Sequence, residues 1–154
     1  IDNFHKAERR GRSAPLNMVI TETGAAKAVS KAYPQLEGKL TGNAIRVPTP
    51  NVSMAILNLN LNTATSKEEI NNFLQDASLF SELQHQIDFT QSTEIVSSDL
   101  VGARAASIVD STATIVAGHR VNLYAWYDNE CGYSCQVMRV VRDMSGLTSP
   151  TLPL

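Results

Sequence analysis

The chain has 154 residues, of which 43% are hydrophobic and 18% are charged, as in an ordinary globular domain with a full core. Its net charge of -2 argues against a general nucleic-acid binder, because such proteins usually present a basic surface. No apolar run reaches the roughly 20 residues of a membrane-spanning helix, so we expect no membrane partner.

The chain opens with a polar segment followed by a helix. Residues 1–16 are basic and predict an irregular loop. Residues 24–33 carry apolar side chains at i, i+3 and i+4 spacing, which predicts a helix. Thr23 is placed to cap this helix and Pro34 to end it.

Strands follow the first helix. They are predicted at residues 42–47 and 52–62, on either side of a Pro-Thr-Pro run. In the second strand apolar and polar residues alternate, which predicts one face on the core and one mostly polar face.

The second half mixes helices with short strands. Ser66 and Glu69 form a capping box that opens a second helix. Its predicted buried stripe is Ile70, Phe73, Leu74 and Ala77. Further strands are predicted near residues 94–98, 105–109, 112–116 and 119–127. A last helix is predicted over residues 129–144, with Val137, Val141 and Met144 facing inward.

Strands with short connections outnumber helices in this pattern. The sequence therefore predicts an α+β fold, with a mixed, mostly antiparallel sheet and helices on one face. No GxGxxG run follows a strand, so the pattern contains no dinucleotide-binding half.

Two segments are candidates for binding an anion, and we expect them to converge on a shared anion pocket. The backbone N–H groups at Gly24 and the Thr23 hydroxyl lie at a helix start, where anions bind well. Arg46 lies among apolar residues and must be paired or contact a ligand. Each has a simpler structural explanation, namely a helix cap at Thr23 and an ion pair at Arg46.

Other polar residues invite weaker interpretations. The amide of Asn129 could bind another amide, such as a carboxamide, or could cap the last helix. A basic cluster near the start, of Lys6, Arg9, Arg10 and Arg12, is best explained as a solvated segment. Cys131 and Cys135 are interpreted as small apolar residues in a reducing, cytoplasmic setting, and no Cys/His cluster suggests a metal site.

Three runs resemble one known family: Thr23-Gly24-Ala25-Ala26-Lys27, the run from Leu40 to Asn51, and the run from Trp126 to Ser134. Together they closely resemble the C-terminal catalytic domain of phosphorylating glyceraldehyde-3-phosphate dehydrogenases. The resemblance covers roughly residues 1–146. It implies an NAD-dependent enzyme of glycolysis, with NADP not excluded, that assembles as a homotetramer.

The resemblance also implies roles for individual residues. Thr23 and Gly24 match the site of the attacking inorganic phosphate. Arg46 matches the arginine that grips the phosphate of glyceraldehyde 3-phosphate, and Arg10 matches a loop arginine of the same anion pocket. Asn129 matches the residue that binds the nicotinamide carboxamide, with Tyr133 beside it.

The match with the family is incomplete. The Ser-Cys-Thr-Thr-Asn run of the family's nucleophile is absent, and no histidine occupies the position of its base. We therefore expect an inactive C-terminal piece of a longer enzyme: an interface and cofactor loop at residues 1–16, a catalytic domain at 17–146 and a flexible tail at 147–154. Alternatives are an erythrose-4-phosphate dehydrogenase fragment, a non-catalytic interaction module and, with little weight, an RNA-binding module.

Overall fold

The computed structural model of the chain describes residue 6 and residues 8–147. The chain divides into two compact units, Ile1–Pro50 and Asn51–Leu154. Each unit is described by itself below. Parts of the predicted opening loop, residues 1–5 and 7, and most of the predicted tail, residues 148–154, lie outside the described residues.

The first unit is built on a two-stranded antiparallel ribbon of β1 (Val19–Glu22) and β2 (Asn43–Arg46). Strand β2 matches the predicted strand, whereas β1 was not predicted. The sequence predicted an irregular loop for the opening segment, but part of this segment is ordered. It forms two short 3-10 helices, Glu8–Gly11 and Ala14–Leu16.

The helix that connects the two strands is α1 (Ala25–Ala32), as predicted. Its N-cap residue is Gly24, and the Thr23 Oγ1 accepts a hydrogen bond of 3.2 Å from the Ala25 N–H. The helix ends before Pro34, because the residue that precedes a proline is disfavoured in helical geometry.

The second unit contains a five-stranded sheet with β3-β7-β5-β4 in order and β6 paired to β7. The strands are β3 (Ser53–Asn60), β4 (Ile87–Thr90), β5 (Ser107–Asp110), β6 (Ile115–Ala117) and β7 (Arg120–Tyr127). Only the β4–β5 pair is parallel among the described strands. The predicted α+β class with a mixed, mostly antiparallel sheet is confirmed.

The predicted strand at residues 94–98 is wrong. Ser97–Leu100 is a 3-10 helix, because the Asp99 carboxylate accepts a hydrogen bond of 3.0 Å from the Val96 N–H and tightens the backbone. The strand of this region lies earlier, at β4, where the sequence analysis had placed none.

Helix α2 (Lys67–Phe80) begins with the predicted capping box. The Glu69 N–H donates to Ser66 Oγ at 3.1 Å, and the Ser66 N–H donates to the Glu69 carboxylate at 2.8 Å. Of its predicted buried stripe, Ile70, Leu74 and Ala77 are half-buried. Phe73 is 69% exposed, so that part of the prediction is wrong.

The buried apolar core of the described residues is thin. It consists of Val52, Ile108, Val109, Val121 and Ala125, all in the second unit. Around it, large apolar side chains remain exposed on the strands and helices. No helix in the described part of the chain combines the length and apolar character needed to cross a membrane.

Helix α3 (Cys131–Met144) ends the described second unit. The three residues predicted to face inward do not: Val137 is 41% exposed, Val141 52% and Met144 83%. The sequence period identifies an apolar stripe correctly, but no described element covers it.

Candidate functional site

A cavity of about 710 Å³ in the first unit is lined by three arginines, Arg10, Arg12 and Arg46. The remaining lining residues are Pro15, Asn17, Val19, Val47, Pro48, Thr49 and Pro50. None of the described lining residues is acidic. Guanidinium groups bind phosphate through paired hydrogen bonds, so the cavity suits a phosphorylated ligand.

Local structure brings these arginines together. Arg46 is the last residue of β2 and lies opposite Val19 in the ladder. The Pro-Thr-Pro run after β2 stops the strand and forms one wall of the cavity. Arg10 reaches the cavity from the 3-10 helix Glu8–Gly11. The structure thus places Arg10 and Arg46 at one site.

Thr23 and Gly24 lie at the other end of the same ribbon. Thr23 follows the last residue of β1, and it lies four residues, or roughly 13 Å, along the strand from Val19. Arg46 pairs with Val19 in the ladder, whereas Thr23 lies just beyond its last pair, Glu22 with Asn43. Neither Thr23 nor Gly24 is among the residues that line the arginine cavity, so this cavity does not bring them together with Arg46 as expected.

A third polar group lies between those two positions. Thr21 pairs with Ala44 and is buried, with 8% of its surface exposed. Its Oγ1 has no hydrogen-bond partner among the described residues. A buried hydroxyl without a partner is costly. The sequence analysis did not identify Thr21.

The second unit places Asn129 and Tyr133 at one cavity of about 250 Å³. The other residues lining it are Ala106, Tyr127, Asp128 and Gln136. The Asn129 side-chain oxygen accepts a hydrogen bond of 3.2 Å from the Ser53 hydroxyl, which fixes the amide orientation. An oriented amide beside an aromatic ring is suited to binding a carboxamide.

Asp128 organises the backbone around this cavity. Its carboxylate accepts hydrogen bonds from the Gly102 N–H, the Cys131 N–H and the Glu130 N–H, each at 2.8 Å. Asn51 donates a fourth, at 3.0 Å. These bonds, that of Gly102 foremost, lower the pKa of Asp128 to about 2. The sequence pattern suggested only a helix cap here and gave no sign of the contacts to Asn51 and Gly102.

Val52 has a strained backbone next to these residues. Its φ is 70°, a region in which β-branched residues are rare and which costs on the order of 1–3 kcal/mol. Its two neighbours are tied to the cavity, Asn51 through Asp128 and Ser53 through Asn129. Such strain concentrates at functional sites, because surrounding contacts must hold it in place.

Cys131 does not have the environment of a nucleophile. The Cys131 thiol donates a hydrogen bond of 3.4 Å to the Gly102 carbonyl. Partial burial is the main cause that raises the pKa of Cys131, and a hydrogen bond with Cys135 is the next. Both disfavour the thiolate. The described part of the chain contains no group of three or more His, Cys, Asp or Glu side chains placed to hold a metal ion.

Comparison with known proteins decides the family. Residues 1–129 match the family described as "Glyceraldehyde 3-phosphate dehydrogenase, C-terminal domain". The chain belongs to this family. The predicted resemblance to this family is thereby confirmed.

Individual glyceraldehyde-3-phosphate dehydrogenases are similar over most of the chain. A glyceraldehyde-3-phosphate dehydrogenase-like protein of Pseudomonas aeruginosa (strain UCBPP-PA14) is 67% identical over 153 residues, which is 99% of this chain and 33% of that protein. Glyceraldehyde-3-phosphate dehydrogenase 2 of Trichormus variabilis is 48% identical, over 90% of this chain and 41% of that protein. Glyceraldehyde-3-phosphate dehydrogenase of Schistosoma mansoni is 45% identical, over 90% of this chain and 41% of that protein.

The chain therefore spans between 33% and 41% of the length of these relatives. It corresponds to a C-terminal part of a glyceraldehyde-3-phosphate dehydrogenase-like protein. The family is one of oxidoreductases. The chain is thus a member of an oxidoreductase family.

Proposed function

We propose that this chain is the substrate-binding C-terminal part of an NAD-dependent, phosphorylating glyceraldehyde-3-phosphate dehydrogenase that acts in glycolysis in the cytoplasm. The observation that carries the proposal is the convergence of Arg10 and Arg46 on one cavity without acidic lining residues. In this account the cavity binds the phosphate group of glyceraldehyde 3-phosphate. A sugar phosphate is a doubly charged ligand, and guanidinium forks match its geometry.

The second phosphate belongs at the other end of the ribbon. Thr23 and Gly24 lie at the start of α1, where the helix dipole favours negative charge. Inorganic phosphate bound there would be separate from the substrate phosphate at Arg46, since Thr23 and Gly24 do not line the arginine cavity. Two separate anion sites fit a reaction that combines a phosphorylated aldehyde with free phosphate.

The cavity at Asn129 would receive the nicotinamide. NAD bound there would accept the hydride that the aldehyde carbon gives up as it is oxidised, and Asn129 of this chain would orient the carboxamide. Tyr133 would contact the same ring. NADP is not excluded, because the residues that select the adenosine phosphate belong to the nucleotide-binding part of the family.

The chain by itself is proposed to be inactive. The family's Ser-Cys-Thr-Thr-Asn nucleophile run does not occur in its sequence, and partial burial raises the pKa of Cys131. The exposed apolar side of α3 supports the view that another part of the protein, or another copy in a tetramer, covers this surface.

Phosphate binding by the chain provides the test. Inorganic phosphate titrated into the isotope-labelled chain should shift the backbone amide resonances of Arg46, Val47 and Thr49 and those of residues 23–25. Arg46→Gln should remove only the first set. Absence of both shifts would refute the proposed sites. Substantial turnover of glyceraldehyde 3-phosphate with NAD and phosphate by the chain alone would refute its inactivity. With the intact protein, faster turnover of erythrose 4-phosphate would favour the alternative substrate.

A further inference from the structure

Cys131 and Cys135 lie one turn apart on the same side of α3. Both thiols are free and half-buried. They also lie close enough to share a side-chain hydrogen bond. The first turn of α3 therefore presents two adjacent sulfur atoms that have no part in the proposed dehydrogenase reaction.

A disulfide does not suit this pair. Side chains at i and i+4 of a helix have Cβ atoms about 5–6 Å apart, whereas a disulfide needs roughly 3.5–4.5 Å. Closing the gap would require the first turn of α3 to unwind. That turn is held by the Cys131 N–H bond to the Asp128 carboxylate at 2.8 Å and by the Gly132 N–H bond to the Asp128 carbonyl at 3.1 Å.

A single ion between the two sulfur atoms fits the same spacing. A metal–thiolate bond is about 2.3 Å long, so two such bonds span up to about 4.6 Å without moving the backbone. A zinc site usually needs four ligands, and the described residues offer no group of three His, Cys, Asp or Glu side chains. Soft ions of low coordination number, such as monovalent copper, require fewer ligands and prefer sulfur.

A third sulfur lies on the same side of the helix. Met138 follows Cys135 by three positions and is 64% exposed. Helical side chains lean toward the N-terminus of the helix, which directs the Met138 thioether toward Cys135. Thioethers and thiolates together are typical ligands of monovalent copper.

We propose that Cys131 and Cys135 form a two-thiolate site for a monovalent copper ion, with the Met138 thioether as a weaker third ligand. On binding, each S–H bond breaks, its proton passes to solvent, and each sulfur forms a bond to copper. The copper remains monovalent and nothing is oxidised. The Cys131 thiol gives up its hydrogen bond to the Gly102 carbonyl. Arg104 offsets part of the added negative charge, while Asp128 opposes it.

The test is an anaerobic titration of the chain with monovalent copper held by a coloured chelator, with native mass spectrometry as a second readout. One copper ion per chain is expected. Cys131→Ser and Cys135→Ser should each weaken binding by at least about tenfold, since loss of even a supporting group costs 10- to 100-fold. Met138→Leu should weaken binding by less than either serine variant.

A matched control keeps two thiols but separates them. The double variant Cys135→Ser with Val137→Cys places the second thiol about 120° round the helix from Cys131. It should bind like a single-cysteine variant. The proposal would be overturned if this control, or either single serine variant, bound copper as tightly as the unaltered chain. It would also be overturned if the unaltered chain bound two copper ions or none. Unchanged copper affinity in Met138→Leu would show that the Met138 thioether is not a ligand. Circular dichroism of each metal-free variant checks that α3 remains folded.

Discussion

The Gly102 backbone N–H donates a 2.8 Å hydrogen bond to the Asp128 carboxylate across 26 positions of sequence. The same carboxylate accepts the N–H groups of Glu130 and Cys131 at the start of α3. One buried side chain thus fixes the loop at Gly102, the start of α3 and the neighbouring Asn129 relative to one another. The candidate nicotinamide cavity depends on this arrangement.

Acid should destabilise the chain through Asp128. The pKa of this carboxyl is lowered from 3.8 to about 2 by the bonds from Gly102, Cys131 and Glu130. A carboxyl with a depressed folded-state pKa adds stability above its unfolded pKa, and that stability is lost as the pH falls through the folded value. We expect a fall in unfolding free energy between pH 3.8 and about pH 2, measured by urea titration at each pH.

Asp128→Asn supplies the matched comparison. The amide keeps the size of the carboxylate but can accept fewer of the four bonds, so the variant should be less stable at neutral pH. It should also lose part of the acid-dependent fall. A variant with the same pH dependence as the unaltered chain would show that other carboxyl groups cause it.

Gly132 should not tolerate a side chain. A Cβ at this position would lie 2.7 Å from the Ala105 carbonyl oxygen, and the glycine is buried. Gly132→Ala is expected to lower the unfolding free energy by about 1–3 kcal/mol, as overpacking usually does. Gly42→Ala is the control, because its Cβ would meet only Thr23 Cγ2 at 3.8 Å. Equal effects of the two substitutions in denaturant titrations would contradict the packing argument.

The exposed side of α3 should make the chain self-associate. Tyr133, Val137, Val141 and Met144 recur at helical spacing and are all more than 40% exposed. Val141→Lys should shift the sedimentation profile toward monomer, because it places a charge within this apolar stripe. Val101→Lys, at a 58% exposed position outside α3, should leave the profile unchanged. A monomeric unaltered chain at high concentration would remove the basis for this prediction.

Thr23 should affect inorganic phosphate more than the sugar phosphate. In the intact protein, Thr23→Val removes the hydroxyl with little change of shape. We expect the KM for inorganic phosphate to rise by roughly tenfold, the equivalent of one lost hydrogen bond, with a smaller change for glyceraldehyde 3-phosphate. Thr23→Ser keeps the hydroxyl and should restore most of the loss. The opposite pattern of the two KM values would exchange the proposed roles of Thr23 and Arg46.

Local patterns explain the elements that the sequence predicted well. The capping box of α2 is formed by Ser66 and Glu69, which are neighbours in the chain, and the structure has both of its bonds. Strand β3 lies within the alternating run predicted as a strand at residues 52–62. By contrast, β1 is only four residues long, Val19–Glu22, and its pairing with β2 spans the whole of α1.

Contacts between distant residues could not be predicted in the same way. The meeting of Arg10 with Arg46 depends on how the 3-10 helix Glu8–Gly11 packs against β1, which no local pattern specifies. The apolar stripe of α3 could be identified from its period, but the period does not say whether another element covers it. Phe73 was assigned to the core for the same reason and is exposed.

The most direct test of the account is the KM for glyceraldehyde 3-phosphate in the intact protein carrying Arg46→Gln. Loss of a charged hydrogen-bond pair costs about 1.5–3 kcal/mol, so we predict a rise of roughly 10- to 150-fold. Arg120→Gln, at an exposed position of β7 outside the arginine cavity, serves as the control and should leave this KM unchanged. An unchanged KM in Arg46→Gln, or an equal rise in the control, would contradict the assignment of the arginine cavity to the substrate phosphate.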